Sequence, residues 1–373
     1  LNVEAGLYPA PSDVRLKDLP KALRSARAFR EDVEEVDRRR LERNGTEIRQ
    51  QIIDGHNRYP AYYLQNFHYQ SGGWFTEDSA DLYDTQVEAL FTGTADAMRR
   101  AVLLICDGLS REWVSPERTP NIWALKARGL WCADHRAVFP SVTRASAAAV
   151  ATGHTPGEHG LHGNRMCFLV DGRLEVRDAG LPDFRDHMRS ATGQTLRVPT
   201  MAERLEGDCI AFSNVSPGAA YFLDPEHHGW VYHRAGCFGP GGKPITGDDA
   251  LAVASDADGD AAMVERFCGD VLAERAPKLA ICWQCSPDKA GHGAPLLGPE
   301  HLAAMAAADR HVGQVVATVE RLRASGDEVL LLVGSDHGME SIGPRVHVAE
   351  RLVQAGLKDG LESGEVAVAC QGT

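Results

Sequence analysis

The sequence predicts an α/β fold: a mostly parallel central sheet with helices on both faces, preceded by a helical N-terminal appendage. Two observations carry this. From Ala101 onward, short runs rich in Val, Leu and Ile alternate with longer stretches of helical spacing. Those runs are apolar throughout rather than alternating, as in strands buried on both faces of a parallel sheet. A third observation concerns chemistry. Asp107, Asp288 and Asp336 each follow such a run, and in open parallel sheets ligands bind beyond the carboxyl ends of the strands.

Taken in order, residues 16–51 are charge-rich with helical spacing. An aromatic segment follows, YPAYYLQNFHYQSGGWF. A helix is expected from about Glu77 to Arg100, begun by Thr76, Glu77 and Asp78 and carrying Leu82, Val87, Leu90 and Phe91 on one face. No strand, glycine-rich turn and helix occur together here, so residues 1–98 read as an appendage without a cofactor fold. Residues 99–373 form the α/β domain. Its expected strands are 101–106, 208–213, 278–284 and 328–334, and its expected helices are 119–129, 144–152, 260–275 and 298–324. Stretches 165–207 and 215–258 lack regular periodicity and read as irregular insertions over the functional edge. The chain stops just after a strand-like VAVAC, and the domain is expected to be truncated at its C-terminus.

Composition excludes several classes. There are 39 basic and 52 acidic residues, net −13, which argues against a nucleic-acid polymer or an anionic membrane as partner. No stretch is long enough to span a bilayer and no signal peptide is visible. Nine cysteines without a regular framework fit a reducing, cytoplasmic setting. Cys282 and Cys285 read as buried residues at a strand end. Nothing in the sequence specifies an oligomeric state.

The aspartates come with histidines. His292 follows Asp288 by one helical turn and His337 follows Asp336 directly. Asp107, Asp288, His292, Asp336 and His337 are hard or borderline donors from distant segments that converge on one sheet edge, the pattern of a metal-dependent hydrolase. Thr143 precedes the small-residue run RASAAAVAT. A hydroxyl at a helix N-terminus meets unpaired N–H groups that favour an attacking oxygen and phosphate. The same position suits a plain N-cap threonine. Ser141 and Ser146 are rival hydroxyls. Asn164 is either a side-chain donor to a phosphate oxygen or a turn residue. Arg144 reads as a surface helix arginine, and His154, His159 and His162 as structural.

Four separated blocks then carry a family resemblance: CDG at 106–108, PSVTRAS…ATGHTP…HG…GN across 140–164, PDKAGH at 287–292 and SDHGM at 335–339. In order and approximate spacing they resemble the alkaline phosphatase superfamily, in its nucleotide pyrophosphatase/phosphodiesterase and phosphonoacetate-hydrolase-like branch. The resemblance implies a two-metal phosphodiesterase acting through a Thr143 nucleophile and a phosphothreonine intermediate. One divalent ion would be held by Asp107, Thr143, Asp336 and His337, the other by Asp288 and His292. Zinc is implied, with manganese the alternative, and the substrate would be a small-molecule phosphate ester or phosphonate. The family supplies a further histidine to the second ion, well downstream of SDHGM. His347 lies too close to His337 to take that place. Phosphomonoester or phosphonate cleavage is the alternative on the same core, and an inactive fused or truncated product is the other. Sulfatase chemistry is set aside because Val138-Phe-Pro-Ser-Val142 lacks the modified cysteine and the arginine that it needs. Separately, YYLQNFHYQSGGWFTEDSADLYDTQVEALFTGTADAMRR resembles the leader of bacterial class I S-adenosylmethionine-dependent methyltransferases. No cofactor loop follows it, so methyl transfer is not inferred.

Overall fold

The computed structural model describes residues 99–343 and 346–370, together with helical positions 27, 33, 34, 38 and 41. The chain divides into two compact units, Leu1–Arg99 and Arg100–Thr373. In the first unit positions 27, 33, 34, 38 and 41 are helical, within the expected 16–51 stretch. The aromatic segment and nearly all of the expected 77–100 helix lie outside the described residues. The last two positions of that helix, Arg99 and Arg100, instead begin a strand.

The second unit opens with β1 (Arg99–Cys106), α1 (Pro120–Arg128), α2 (Thr143–Thr152), α3 (Pro156–His159) and the β2 (Arg165–Val170)/β3 (Arg173–Asp178) hairpin. Then come α4 (Phe184–Thr192), α5 (Met201–Arg204), β4 (Cys209–Ser213), α6 (Pro217–Ala220), β5 (Trp230–His233), β6 (Gly236–Gly239) and β7 (Lys243–Ile245). Next is α7 (Ala257–Arg266), which continues as a π-helical stretch Phe267–Arg275. The described part closes with β8 (Leu279–Gln284), α8 (Asp288–Gly293), α9 (Pro299–Ala324), β9 (Glu328–Gly334) and α10 (Val348–Gln354). The expected strands and helices of the α/β domain therefore form within a few residues of their expected limits.

Seven strands make the main sheet in the order β7-β6-β5-β4-β8-β1-β9. β1, β8, β4 and β5 are parallel, and β6 and β7 return antiparallel. Every residue of β4 and β8 is buried, as expected of strands covered on both faces. β9 departs from that expectation: it lies at the sheet edge, and Leu330 and Leu332 are exposed. The side chains of the central strands alternate between two cores. Leu104, Phe212 and Cys282 join Ile122, Met263, Phe267, Met305, Val312 and Val315 beneath α1, α7 and α9. Ile105, Ala211, Ile281 and Trp283 join Ala147, Ala148, Phe184, Met188 and Ala219 beneath α2, α4 and α6. Helices thus cover both faces, and the small residues of α2 let it lie close against the sheet.

Two stretches differ from expectation. Residues 215–258 are not an irregular excursion throughout: they carry β5, β6 and β7, which extend the main sheet. These strands have only three or four residues and hold Gly236, Gly239 and Pro244, so no periodic window exists to reveal them. Residues 165–178 form an antiparallel hairpin around Asp171-Gly172, both at positive φ. The run VAVAC at 366–370 forms no strand.

Candidate metal centre

β8, β1 and β9 are neighbours in the sheet, so the chain emerges from three adjacent strands into Asp288, Asp107 and Asp336. Asp107 N donates to Gln284 O at 3.2 Å and Asp288 N donates to Asp107 O at 2.9 Å, which fixes the first two aspartates against each other. Gly108 makes this approach possible. Its φ is +70°, and a Cβ there would lie 2.8 Å from Asp288 Cβ. Its N–H donates to Asp336 Oδ1 at 3.2 Å, which brings in the third aspartate.

His337 Nε2 is the focus of the group. It lies 3.2 Å from Thr143 Oγ1, 3.3 Å from Asp336 Oδ2 and 3.6 Å from Asp107 Oδ1. The other ring nitrogen, Nδ1, lies 3.0 Å from Gly338 O. A carbonyl only accepts, so Nδ1 is the donor in that contact, and Nε2 is the ring nitrogen left facing the three oxygens, where a metal ion would meet it. Donor atoms of Asp107, Asp288 and His337 all lie within 4.8 Å of one another. The buried oxygens Asp107 Oδ1, Asp288 Oδ1 and Asp336 Oδ2 have no hydrogen-bond partner.

Electrostatics point the same way. Burial, followed by the Asp336 and Asp288 carboxylates, pushes the Asp107 carboxyl well above the ordinary range. Burial likewise raises Asp336, against the pull of His337 and the Gly108 N–H. Converging buried carboxylates with orphaned oxygens are unfavourable on their own, and a divalent cation removes that cost. The spacing also fits one. Tetrahedral bonds of about 2.0–2.1 Å place ligand atoms roughly 3.3–3.4 Å apart. The residues present therefore fit a divalent ion.

Thr143 is the first helical residue of α2. The N-cap is Val142, with extended backbone and no side-chain cap bond. The N-cap reading of Thr143 gives way to an oxygen facing His337. Of the rival hydroxyls, Ser146 is buried and donates to Asp336 O at 3.3 Å, which clips α2 to the third aspartate loop. Ser141 is exposed. Arg144 is not a surface side chain: it is 19% exposed, and its guanidinium donates to Asp178 Oδ1 and to Asn164 O. Burial opposes ionisation of Asp178, but the Gly180 N–H and Arg144 outweigh it and hold that carboxyl below its ordinary value. Asn164 is thereby tied to the start of α2, and its buried Oδ1 lacks a partner.

His292 Nε2 lies 3.5 Å from Asp288 Oδ1, but its side chain is 63% exposed, so it stands at the rim of the group. His347 is exposed at the N-terminus of α10. His159 is buried and its Nδ1 accepts from Leu161 N, while His154 Nδ1 engages Thr152 O. Sequence reasoning missed the buried carboxylates Asp260 and Asp309. Asp309 accepts from Asn121 N, Asn121 Nδ2 and Ile122 N at 2.8–3.1 Å and so caps α1.

The type I phosphodiesterase / nucleotide pyrophosphatase family profile matches residues 101–371, and the chain belongs to that family. Comparison with curated proteins gives no match. Among solved structures, it is similar to murine ectonucleotide pyrophosphatase/phosphodiesterase 5 in complex with AMP, at 17% identity and a TM-score of 0.46, covering 66% of this chain and 58% of that one. It is also similar to phosphonoacetate hydrolase from Sinorhizobium meliloti 1021 in complex with phosphonoacetate, at 18% identity and a TM-score of 0.49, covering 70% and 63%. The chain spans about three-fifths of the length of these structures.

Proposed function

We propose that this chain is a metal-dependent phosphoric ester hydrolase of the phosphodiesterase/nucleotide pyrophosphatase type, with Thr143 as its nucleophile. Asp107, Asp336, His337 and Thr143 would hold one divalent ion. Asp288 and His292 would contribute to a second. Zinc suits a donor set of carboxylates and imidazole, and manganese is the alternative. The observation that carries the reading is the meeting of Thr143 Oγ1, Asp336 Oδ2 and Asp107 Oδ1 within 3.2–3.6 Å of His337 Nε2. Divalent ions bound there supply Lewis acidity: they lower the pKa of a coordinated hydroxyl and offset charge on phosphoryl oxygens.

The remaining chemistry belongs to the chain. Thr143 Oγ attacks phosphorus, a new P–O bond forms as the bond to the leaving oxygen breaks, and the hydroxyl proton passes through solvent to that leaving oxygen. The product is a phosphothreonine, which water then hydrolyses to restore the hydroxyl. The first N–H groups of the ten-residue α2 face oxygens in this position and stabilise their charge. Asn164 offers its amide N–H to a non-bridging oxygen. Arg144 orients the α2 start through Asp178 rather than touching substrate.

The family supports small phosphodiesters as substrates, with phosphomonoesters and phosphonates as alternatives on the same core. The chain's net charge of −13 supports a small molecule over a nucleic-acid polymer. All nine cysteines are free, which supports a reducing compartment such as the cytoplasm. Among the described residues no helix is long and apolar enough to cross a membrane. The test is metal analysis of the purified protein alongside hydrolysis of nitrophenyl diester, monoester and phosphonate. Two equivalents of zinc or manganese with diester preference are expected. One equivalent without turnover would overturn the proposal in favour of an inactive product.

A further inference from the structure

Asp260 is wholly buried and belongs to none of the donor groups above. It sits in the first turn of α7, where an acid ordinarily complements the helix dipole. That role does not account for its direction, because α7 is already capped by Asp256, whose side chain accepts from Gly259 N. Asp260 points instead at the loop that follows β8. Its Oδ1 accepts from Cys285 N at 3.1 Å and from Asn214 Nδ2 at 2.9 Å. Its Oδ2 accepts from Ser286 N at 2.9 Å and from the Cys285 thiol at 3.6 Å. Asn214 follows β4 directly, is buried, and also donates to Ala254 O at 2.9 Å and from its backbone to Trp283 O at 3.0 Å.

One carboxylate therefore gathers the ends of β4 and β8 and the start of α7. All of its partners are donors, so no rotation of the side chain improves the arrangement. The two backbone N–H groups it holds belong to the residues that launch the turn into Asp288. We infer that Asp260 is a positioning residue that fixes the Cys285–Ser286 backbone and, through it, sets Asp288 at the metal centre. This rests on the proposed reading of Asp288 as a metal ligand.

The test is zinc titration by calorimetry of the full chain, with thermal melts in the presence and absence of zinc. Asp260→Asn is near-isosteric but turns an amide N–H toward groups that are themselves donors. It is expected to weaken zinc binding roughly 10- to 100-fold, as loss of a group orienting a ligand does, and to shrink the zinc-induced rise in Tm. In an Asp288→Asn background, Asp260→Asn is expected to cause no further loss of zinc affinity. Asp309→Asn removes a buried acid that caps α1 and is the structural control, expected to lower the zinc-free Tm with zinc affinity unchanged. If Asp260→Asn behaves like that control, or weakens zinc equally in both backgrounds, the inference is overturned. If Asp288→Asn alone leaves zinc binding intact, the metal reading of Asp288 fails instead. Should Asp260→Asn not fold, Asn214→Ala loosens the same carboxylate: weaker zinc binding that depends on Asp288 supports the inference, and unchanged binding overturns it.

Discussion

Replacing Gly108 by alanine tests how closely the first two aspartate loops must approach. Two separate costs apply. Gly108 has φ +70°, and the left-handed region costs an L-residue about 1–2 kcal/mol. The new Cβ would also lie 2.8 Å from Asp288 Cβ and 3.0 Å from Asp288 Cα. Neither atom is the end of a flexible chain, so the loop must shift, and such overpacking typically costs about 1–3 kcal/mol. The sum is roughly 2–5 kcal/mol. Gly172 provides the comparison, with φ +77° and no atom within 4 Å of its added Cβ. Gly172→Ala should therefore cost only the backbone portion, about 1–2 kcal/mol. Urea unfolding of both variants isolates the steric portion as the difference, and zinc titration reads its effect on Asp288. Gly108→Ala should bind zinc more weakly, and Gly172→Ala should match the parent protein. Equal destabilisation by the two substitutions, with zinc binding unchanged in both, would refute the reasoning.

Other predictions concern separate parts of the molecule. Thr143→Ala should abolish phosphodiester turnover while equilibrium dialysis still finds bound metal; retained hydrolysis rejects the nucleophile. Asp309→Ala leaves Asn121 N and Ile122 N at the start of α1 without their acceptor, and urea unfolding should register a loss of about 2 kcal/mol or more. Burial holds the His233 imidazole down to about 4, against an unfolded value near 6.5. Between those values the unfolded chain takes up a proton that the folded one refuses, so this contribution to stability is present above pH 6.5 and is lost as pH falls toward 4. At about 1.4 kcal/mol per unit, the loss between pH 6.5 and 5 is roughly 2 kcal/mol. His233→Gln should remove one proton's share of that slope in urea melts, and an unaltered slope contradicts the assignment.

Much of the candidate site was legible because its three aspartates each stand just past a strand that the sequence reveals. AVLLIC, LAICW and VLLLV are apolar without interruption, and the strands that hold them are adjacent, so the residue types that follow them meet. Asp171-Gly172 was a hairpin signal in plain view, with RMCFLV before it and RLEVRD after it; reading 165–207 as irregular overlooked it. β5, β6 and β7 gave less to read, since strands of three or four residues broken by glycine and proline carry no period. Asp260 was illegible for another reason. In DADGD it looks like one more acid in a solvated first turn, and only tertiary structure brings Asn214 and Cys285 to it. Arg144 misled in the same way: its partner Asp178 lies on the far strand of a hairpin 34 residues on.

Crystals of the full chain grown with zinc, with diffraction recorded at the zinc absorption edge, test the central claim most directly. The account predicts an anomalous peak bonded to His337 Nε2, Asp107 Oδ1, Asp336 Oδ2 and Thr143 Oγ1. A zinc-loaded crystal with no peak among these atoms, or with its metal held by other side chains, would contradict it.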